Sequence, residues 1–223
     1  MNKKLFINAI IKYISGILLV SSLLFIPAGT YNYWNAWLFM ELLFIPMFIA
    51  GIILIFKNPM LLKSRLDIRE KENEQKQVII YSGLMFLSGF IIAGLNYRFS
   101  WITIPNNVVI IASIIFLISY ILYAEVLREN TYLSRTIEVQ KHQKIVDTGF
   151  YGIVRHPMYS ITIILFLTIP LILGSLISFI IFLIYPFIIS KRINNEEKVL
   201  ERKLKGYKEY KKKVKYKLIP FIW

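Results

Sequence analysis

The stretch "PMYSITIILFLTIPLILGSLISFIIFLIYPFIIS" (residues 157–190) contains no charged side chain. As a single helix rising about 1.5 Å per residue it would be roughly 50 Å long, whereas the hydrocarbon core of a bilayer is about 30 Å thick. Pro170, Gly174 and Ser175 lie near its middle, and proline and glycine favour a break in a helix. The stretch therefore predicts a helical hairpin whose two arms cross most or all of the membrane.

Four more apolar segments precede this hairpin, at residues 10–27, 34–56, 78–97 and 108–127. Each is close to the roughly 20 residues that a helix needs to cross the hydrocarbon layer. Hydrophobic residues make up 57% of the 223 residues, where a typical soluble domain has roughly 45–50%. The sequence therefore predicts an all-α, polytopic membrane helical bundle. Its four transmembrane helices and the C-terminal hairpin would give five to six membrane segments.

The basic residues indicate which side of the membrane each loop faces. The chain has 27 Lys and Arg against 13 Asp and Glu, for a formal net charge of +14. These cations cluster at the N-terminus and in residues 57–77, 125–157 and 191–217, whereas the loops at 27–33 and 98–107 hold only Arg98. Because Lys and Arg concentrate in cytoplasmic loops, we expect an integral membrane protein with a cytoplasmic N-terminus, C-terminus and active site. This membrane orientation explains the positive net charge better than nucleic-acid binding does.

Polarity divides the chain into two parts. Residues 1–124 hold the N-terminal transmembrane helices and a polar loop, 57–77, whose apolar positions predict a short amphipathic helix on the membrane surface. Residues 125–223 hold a polar loop (125–157), the hairpin and a basic tail. A loop of about thirty residues without a core of its own is uncommon unless it is functional. We therefore expect this second part to carry the function of the chain.

The polar residues of this second part allow several chemistries. Arg155 and His156 precede Pro157, which suits the first turn of a helix, and this step is either a plain helix start or one wall of a site. Arg192 and Glu196 share a helix face and form either a surface ion pair or part of a pocket. The chain has no cysteine and no His-x-x-x-His or Glu-x-x-His spacing, which argues against a metal site.

Three stretches of this part form a combined pattern: "SRTIEVQKHQKIVDTGFYGIVRHPMY" (134–159), "RINNEE" (192–197) and "GYKEYKKKVKYKLIPFIW" (206–223). From about Glu125 onward the chain resembles the isoprenylcysteine carboxyl methyltransferase (ICMT) family, integral membrane methyltransferases related to phospholipid methyltransferases. The Gly-x-Tyr, Arg-His-Pro-x-Tyr, Glu-Glu, Tyr-x-x-Tyr and Ile-Pro motifs are together far more specific than any one alone.

The resemblance implies a cytoplasmic pocket for S-adenosyl-L-methionine, closed by the C-terminal segments, in which Arg192 faces the carboxylate of the substrate. The residues implied to bind the cofactor are Gln140, Gln143, Lys144, Ile145, Val146, Tyr151, His156, Pro157, Met158, Tyr159 and Glu196. Gln143 stands where eukaryotic members have histidine, and the stretch from Gln140 to Gln143 is shorter than theirs.

The function implied is methyl transfer to a lipophilic or lipidated acceptor within membrane lipids, above all to the carboxylate of an isoprenylcysteine-like substrate. One alternative is a sterol-reductase-like oxidoreductase that uses NADPH and shares the Arg-His-x-x-Tyr strip. Pro157 and the pair Glu196–Glu197 favour methyl transfer over that alternative. A transporter or scaffold would depend on Glu41, the acid at membrane depth. The identity of the acceptor and the oligomeric state stay open.

Overall fold

The computed structural model describes residues 3–67, 73–134, 136, 139–140 and 142–223, with only the main chain for residues 73 and 74. This part of the chain is helical, with a 3₁₀ turn at Gly149–Gly152 and an isolated bridge between Thr103 and Ser175. The α-helices are α1 (Lys3–Ala28), α2 (Trp34–Lys57), α3 (Pro59–Leu66), α4 (Asn73–Phe99), α5 (Asn106–Glu129), α6 (Pro157–Ile172), α7 (Leu176–Phe182), α8 (Tyr185–Lys203) and α9 (Tyr207–Lys213). The prediction of an all-α fold is confirmed.

Among the residues that the structure describes, five helical segments are long and apolar enough to cross a membrane, namely α1, α2, α4, α5 and the pair α7–α8. The shorter α6 is apolar as well. The four N-terminal segments predicted from the sequence coincide with α1, α2, α4 and α5 to within a few residues, apart from longer N-terminal ends of α1 and α4. The protein is therefore a polytopic helical membrane bundle, as predicted.

The two ends of the bundle differ in polarity. One end, which we call the polar end, carries the end of α2 at Lys57, the end of α5 at Glu129, the start of α6 at Pro157 and the end of α8 at Lys203. The opposite end carries the short connections between α1 and α2 and between α4 and α5. Both arms of the hairpin, α6 and α7–α8, run between these ends.

The hairpin turn reaches the opposite end of the bundle. The Tyr33 hydroxyl at the start of α2 donates to the main-chain oxygen of Leu173 at 2.5 Å, and the Asn35 side-chain amide donates to that of Ile172 at 2.9 Å. Asn96, near the end of α4, donates to the main-chain oxygen of Gly174. The turn is thus level with the α1–α2 and α4–α5 connections, so both arms span the full depth of the bundle.

Local chemistry explains where the hairpin bends. Gly174 has a φ of +72°, a left-handed conformation that glycine adopts without steric cost. Ser175 then begins α7 by accepting a hydrogen bond from the main-chain N–H of Ser178 at 3.2 Å. The second arm is interrupted between Phe182 and Tyr185. Pro186 explains this interruption, because proline has no N–H and its ring clashes with the carbonyl four residues earlier.

Small residues let α4 approach its neighbours closely. A Cβ atom added at Gly94 would lie 2.6 Å from the main-chain oxygen of Leu24 in α1, and one added at Gly89 would lie 2.3 Å from a ring atom of Phe182 in α7. Membrane helices pack through such small residues because their backbones can then come into van der Waals contact. Gly94 and Gly89 therefore determine how closely α1 and the hairpin pack against α4.

The loop between α2 and α4 contains the short helix α3. Asn58 caps it by accepting from the N–H of Leu61 at 3.1 Å, and Pro59 occupies its first turn. Leu61 and Leu62 are buried, whereas Met60 is 81% exposed. A short helix was expected in this loop and is present at Pro59–Leu66; its position on a membrane surface stays a prediction, and residues 68–72 of the loop lie outside the described residues.

The close contact at Gly94 gives a testable prediction. Gly94→Ala is expected to lower the melting temperature of the detergent-purified protein, because the new methyl group overlaps backbone that cannot move freely; overpacking of this kind costs about 1–3 kcal/mol. Gly83→Ala on the same helix is the control, since nothing lies within 4 Å of its added Cβ. An equal or higher melting temperature for the Gly94 variant would contradict this packing.

Candidate active site

A cleft opens at the polar end of the bundle, between the loop after α5, the first turn of α6, and helices α8 and α9. About 820 Å³ of free space lies between its walls, including solvent at its mouth. Ten of the residues predicted for the site line this cleft: Gln143, Lys144, Ile145, Val146, Tyr151, His156, Met158, Tyr159, Arg192 and Glu196. Residues far apart in the sequence therefore share one concave surface.

Two of the predicted residues do not line the cleft. The side-chain amide of Gln140 donates to the main-chain oxygen of Tyr132 at 2.9 Å, and its main-chain N–H donates to Gln143 at 2.9 Å. Pro157 is buried at the first position of α6. Both residues shape the loops beside the cleft, and their proposed contact with a cofactor stays a prediction.

Glu41 takes no part in this site. It lies on the exposed outer face of α2 and does not line the cleft. A buried acid facing an internal cavity would be the usual sign of an ion pathway. The position of Glu41 therefore gives no support to a transport function.

The Arg155–His156 step forms one wall of the cleft and is held by the end of the chain. The main-chain N–H groups of Arg155 and His156 donate to the main-chain oxygens of Tyr216 and Lys217, both at 2.9 Å. Pro157 follows as the first residue of α6 and disfavours a helical conformation at His156, which caps the helix instead of joining it. The main-chain donors of Arg155 and His156 pair with the tail instead.

A buried carboxylate, Glu197, lies behind this wall. It accepts hydrogen bonds from Arg155 Nε at 2.7 Å and from His156 Nε2 at 3.1 Å, which requires the proton of the imidazole to be on Nε2. Arg155 also donates through Nη1 to the main-chain oxygens of Val214 at 2.8 Å and Lys215 at 2.6 Å. All three side chains are about 5% exposed. One carboxylate thus joins α8, the start of α6 and the tail.

Arg192 and Glu196 are bridged by a tyrosine inside the cleft. Arg192 Nε donates to the hydroxyl of Tyr159 at 2.8 Å, and this hydroxyl donates to Glu196 Oε2 at 2.6 Å. Because Arg192 and Glu196 are four residues apart, they lie on the same face of α8. Tyr159 reaches them from the first turn of α6. The Arg192 guanidinium and the Glu196 carboxylate are thus held in fixed positions at the bottom of the cleft.

Helix α9 covers the cleft. The hydroxyl of Tyr210 donates to the main-chain oxygen of Tyr151 at 2.8 Å, and Tyr207 and Tyr210 pack with Ile145 and Leu204. Burial and the nearby charges of Glu197 and Glu196 raise the pKa of Tyr207 well above its ordinary value. Its hydroxyl is buried and has no hydrogen-bond partner within the described residues. This unpaired donor lies in the wall of the cleft.

Arg155, which the sequence analysis placed in a possible site wall, lines the cleft as well. Sequence reasoning missed nine of the described residues of the lining. They are Asn130, Tyr132, Leu133, Ser134, Thr136, Leu200, Leu204, Tyr207 and Tyr210. Leu200 could have been found, because it continues the four-residue spacing of Arg192 and Glu196 on α8. The loop residues before His142 carry no such periodic signal.

A protein-family model matches the part of the chain that forms most of the cleft. Residues 108–202 match the family model described as "Isoprenylcysteine carboxyl methyltransferase (ICMT) family". This region, which is less than half of the 223 residues, is similar to that family. It extends from α5 almost to the end of α8, so it contains the loop wall of the cleft and both Arg192 and Glu196, whereas α9 and the tail follow it. A comparison with curated proteins gives no match. Together with the membrane bundle, this match supports a membrane methyltransferase.

The Glu197 network gives a second prediction. Glu197→Gln should lower the melting temperature of the detergent-purified protein by several degrees, because it leaves the buried Arg155 guanidinium without a counter-charge; breaking a buried ion pair costs about 3–5 kcal/mol. Glu209→Gln on α9 removes an exposed acid and serves as the control. Similar melting temperatures for both variants would show that the network does not hold the tail.

Proposed function

We propose that the protein transfers the methyl group of S-adenosyl-L-methionine to the carboxylate of a lipophilic acceptor, such as an isoprenylcysteine-like substrate. The observation that carries this proposal is the Arg192–Tyr159–Glu196 chain of hydrogen bonds at the bottom of the cleft, formed by residues inside the region that matches the ICMT family. These hydrogen bonds hold the Arg192 guanidinium, proposed for the acceptor, and the Glu196 carboxylate, proposed for the cofactor, within one covered cleft. We further propose that the polar end faces the cytoplasm, where the positive-inside rule puts its lysines and arginines.

The residues present fit the cofactor. Apolar side chains of Ile145, Val146 and Leu200 line the cleft and suit an adenine ring. The carboxylate of Glu196 suits the donor groups of a ribose or an amino group. The hydroxyl of Tyr207 is buried without a partner among the described residues, and a bound ligand would satisfy it. When bound, S-adenosyl-L-methionine supplies a methyl group on a positively charged sulfur.

Arg192 is suited to orient the acceptor. A carboxylate is ionised at neutral pH and needs no base, so methyl transfer forms one bond to its oxygen while the bond to sulfur breaks, and no proton moves. The protein must align the reacting groups and exclude water. The hydroxyl of Tyr159 accepts from Arg192 Nε, and this bond holds the guanidinium plane in place. A guanidinium carries its N–H donors in a planar fork that matches the two oxygens of a carboxylate.

The position of the cleft suits a lipophilic acceptor. Met158 and Tyr159 line the cleft and also belong to the first turn of α6, where the apolar hairpin begins. A reactive headgroup bound at Arg192 is therefore next to the apolar layer. The rest of such a molecule can stay among lipids while its carboxylate occupies the cleft.

Substitution of the two α8 residues separates their roles. Glu196→Ala should abolish binding of S-adenosyl-L-homocysteine in calorimetry, because the carboxylate facing the cofactor is lost. Arg192→Ala should keep that binding but lose at least about 100-fold in transfer of labelled methyl to an S-prenylated cysteine, the typical effect of removing a charged orienting contact. Arg202→Ala, an exposed arginine on the same helix, is the control. Full turnover by the Arg192 variant would refute its assignment to the acceptor.

The same calorimetry distinguishes the proposed reaction from reduction. We expect S-adenosyl-L-homocysteine to bind and NADPH not to bind. Binding of NADPH alone would overturn the proposal in favour of an oxidoreductase, and binding of neither would overturn the assignment of the cleft to a nucleotide-derived cofactor.

Tyr159→Phe tests the bridge. The ring stays in the core while the hydroxyl between Arg192 and Glu196 is lost, so we expect a drop of about tenfold or more in methyl transfer with little change in melting temperature. Tyr216→Phe is the control, since its hydroxyl does not line the cleft. Unchanged turnover in the Tyr159 variant would show that the bridge does not position Arg192.

A further inference from the structure

The C-terminal segment, defined here as residues 214–223, folds into a fixed turn. The main-chain oxygen of Trp223 accepts from the N–H groups of Lys217, Leu218 and Ile219 at 2.9, 2.9 and 3.1 Å. The side chains of Leu218 and Trp223 pack against the main core of the bundle. The turn is therefore held on both sides, and its tip has a defined position.

This turn lies where the hairpin enters the apolar layer. The hydroxyl of Ser160, in the first turn of α6, donates to the main-chain oxygen of Leu218 at 2.7 Å. The main-chain N–H of His156 donates to the main-chain oxygen of Lys217 at 2.9 Å. Since α6 is apolar from Pro157 onward, the C-terminal segment is at the depth of the membrane interface.

The tip of the turn exposes apolar side chains. Phe221 is 87% exposed and Ile222 is 77% exposed, and the neighbouring Ile219 is 51% exposed. Adjacent large apolar side chains that are this exposed are unfavourable in water and typical of a surface that inserts into a membrane interface. Aromatic residues are enriched at this depth.

Exposed cations lie on α9 and at the start of the C-terminal segment. Lys208, Lys212 and Lys215 are exposed, and none pairs with an acidic side chain in the part of the chain that the structure describes. Residues 191–217 contain twelve basic residues and four acidic ones. Two of these acids, Glu196 and Glu197, point into the cleft or the buried network. The exposed surface of α9 and of the start of the C-terminal segment is therefore strongly positive, and the apolar tip belongs to the same segment.

We infer that the C-terminal segment, together with the exposed face of α9, binds the surface of a membrane that contains anionic phospholipids. Phe221 and Ile222 enter the interface while the lysines contact lipid phosphates. A free phosphate ion would use the lysines but not the apolar tip, so the two features together point to a lipid surface. Because α9 also covers the cleft, this contact holds the cover against the membrane. The inference rests on these contacts and not on the proposed reaction.

A spin label at the tip tests this inference. The chain has no cysteine, so Ile222→Cys provides a single labelling site in the full-length protein. The labelled protein is placed in nanodiscs of phosphatidylcholine alone or mixed with phosphatidylglycerol, and collisions of the label with oxygen and with a water-soluble nickel chelate are measured. We expect a several-fold higher oxygen-to-nickel collision ratio with phosphatidylglycerol. Equal ratios in the two membranes would overturn the inference.

Matched charge variants assign the effect to this surface. The triple variant Lys208→Gln, Lys212→Gln and Lys215→Gln should lose the dependence on phosphatidylglycerol. The triple variant Lys4→Gln, Lys57→Gln and Lys63→Gln removes three exposed lysines from the same end of the bundle and should keep it. Equal loss in both would mean that overall charge is responsible, and the same change on adding inorganic phosphate to phosphatidylcholine discs would indicate an anion site; either result would overturn the inference.

Discussion

The carboxylate of Glu197 joins three segments that are far apart in the sequence, namely α8, the start of α6 and the tail. It binds Arg155 and His156 while Arg155 also holds the main chain of the tail. A buried charge is tolerated only where its partners are fixed, so this ion pair requires the three segments to take one arrangement. The walls of the cleft follow from that arrangement, because Arg192 and Glu196 precede Glu197 on the same helix.

The hairpin provides the depth that such a site requires. Its turn contacts Tyr33, Asn35 and Asn96 at the opposite end of the bundle, and its two arms return to the polar end only a few residues from the cleft. The first turn of α6 therefore belongs to the apolar layer and to the cleft at once. Under the proposed function, a soluble enzyme would have to extract a lipophilic acceptor from the membrane, whereas this arrangement would let the reactive group reach Arg192 from within the membrane.

Most of the fold could be predicted because a bilayer imposes a simple length rule on apolar helices. The segments at α1, α2, α4 and α5 were found by that rule, and Gly174 marked the hairpin turn. The interruption at Pro186 and the close packing at Gly89 and Gly94 were not anticipated. They depend on which helices are neighbours. A membrane helix that is apolar on all sides does not indicate which of its faces contacts another helix.

By itself the sequence determined the helical membrane class, the place of the hairpin turn and a set of polar residues that the ICMT-like motifs single out. Only the tertiary structure decided which of these residues meet. It separated Glu196, which lines the cleft, from the adjacent Glu197, which is buried against Arg155, because successive residues on a helix point about 100° apart. It also showed how the C-terminal segments are held: the Tyr210 hydroxyl bonds α9 to Tyr151, and the tail accepts main-chain hydrogen bonds from Arg155 and His156 that no side-chain pattern encodes.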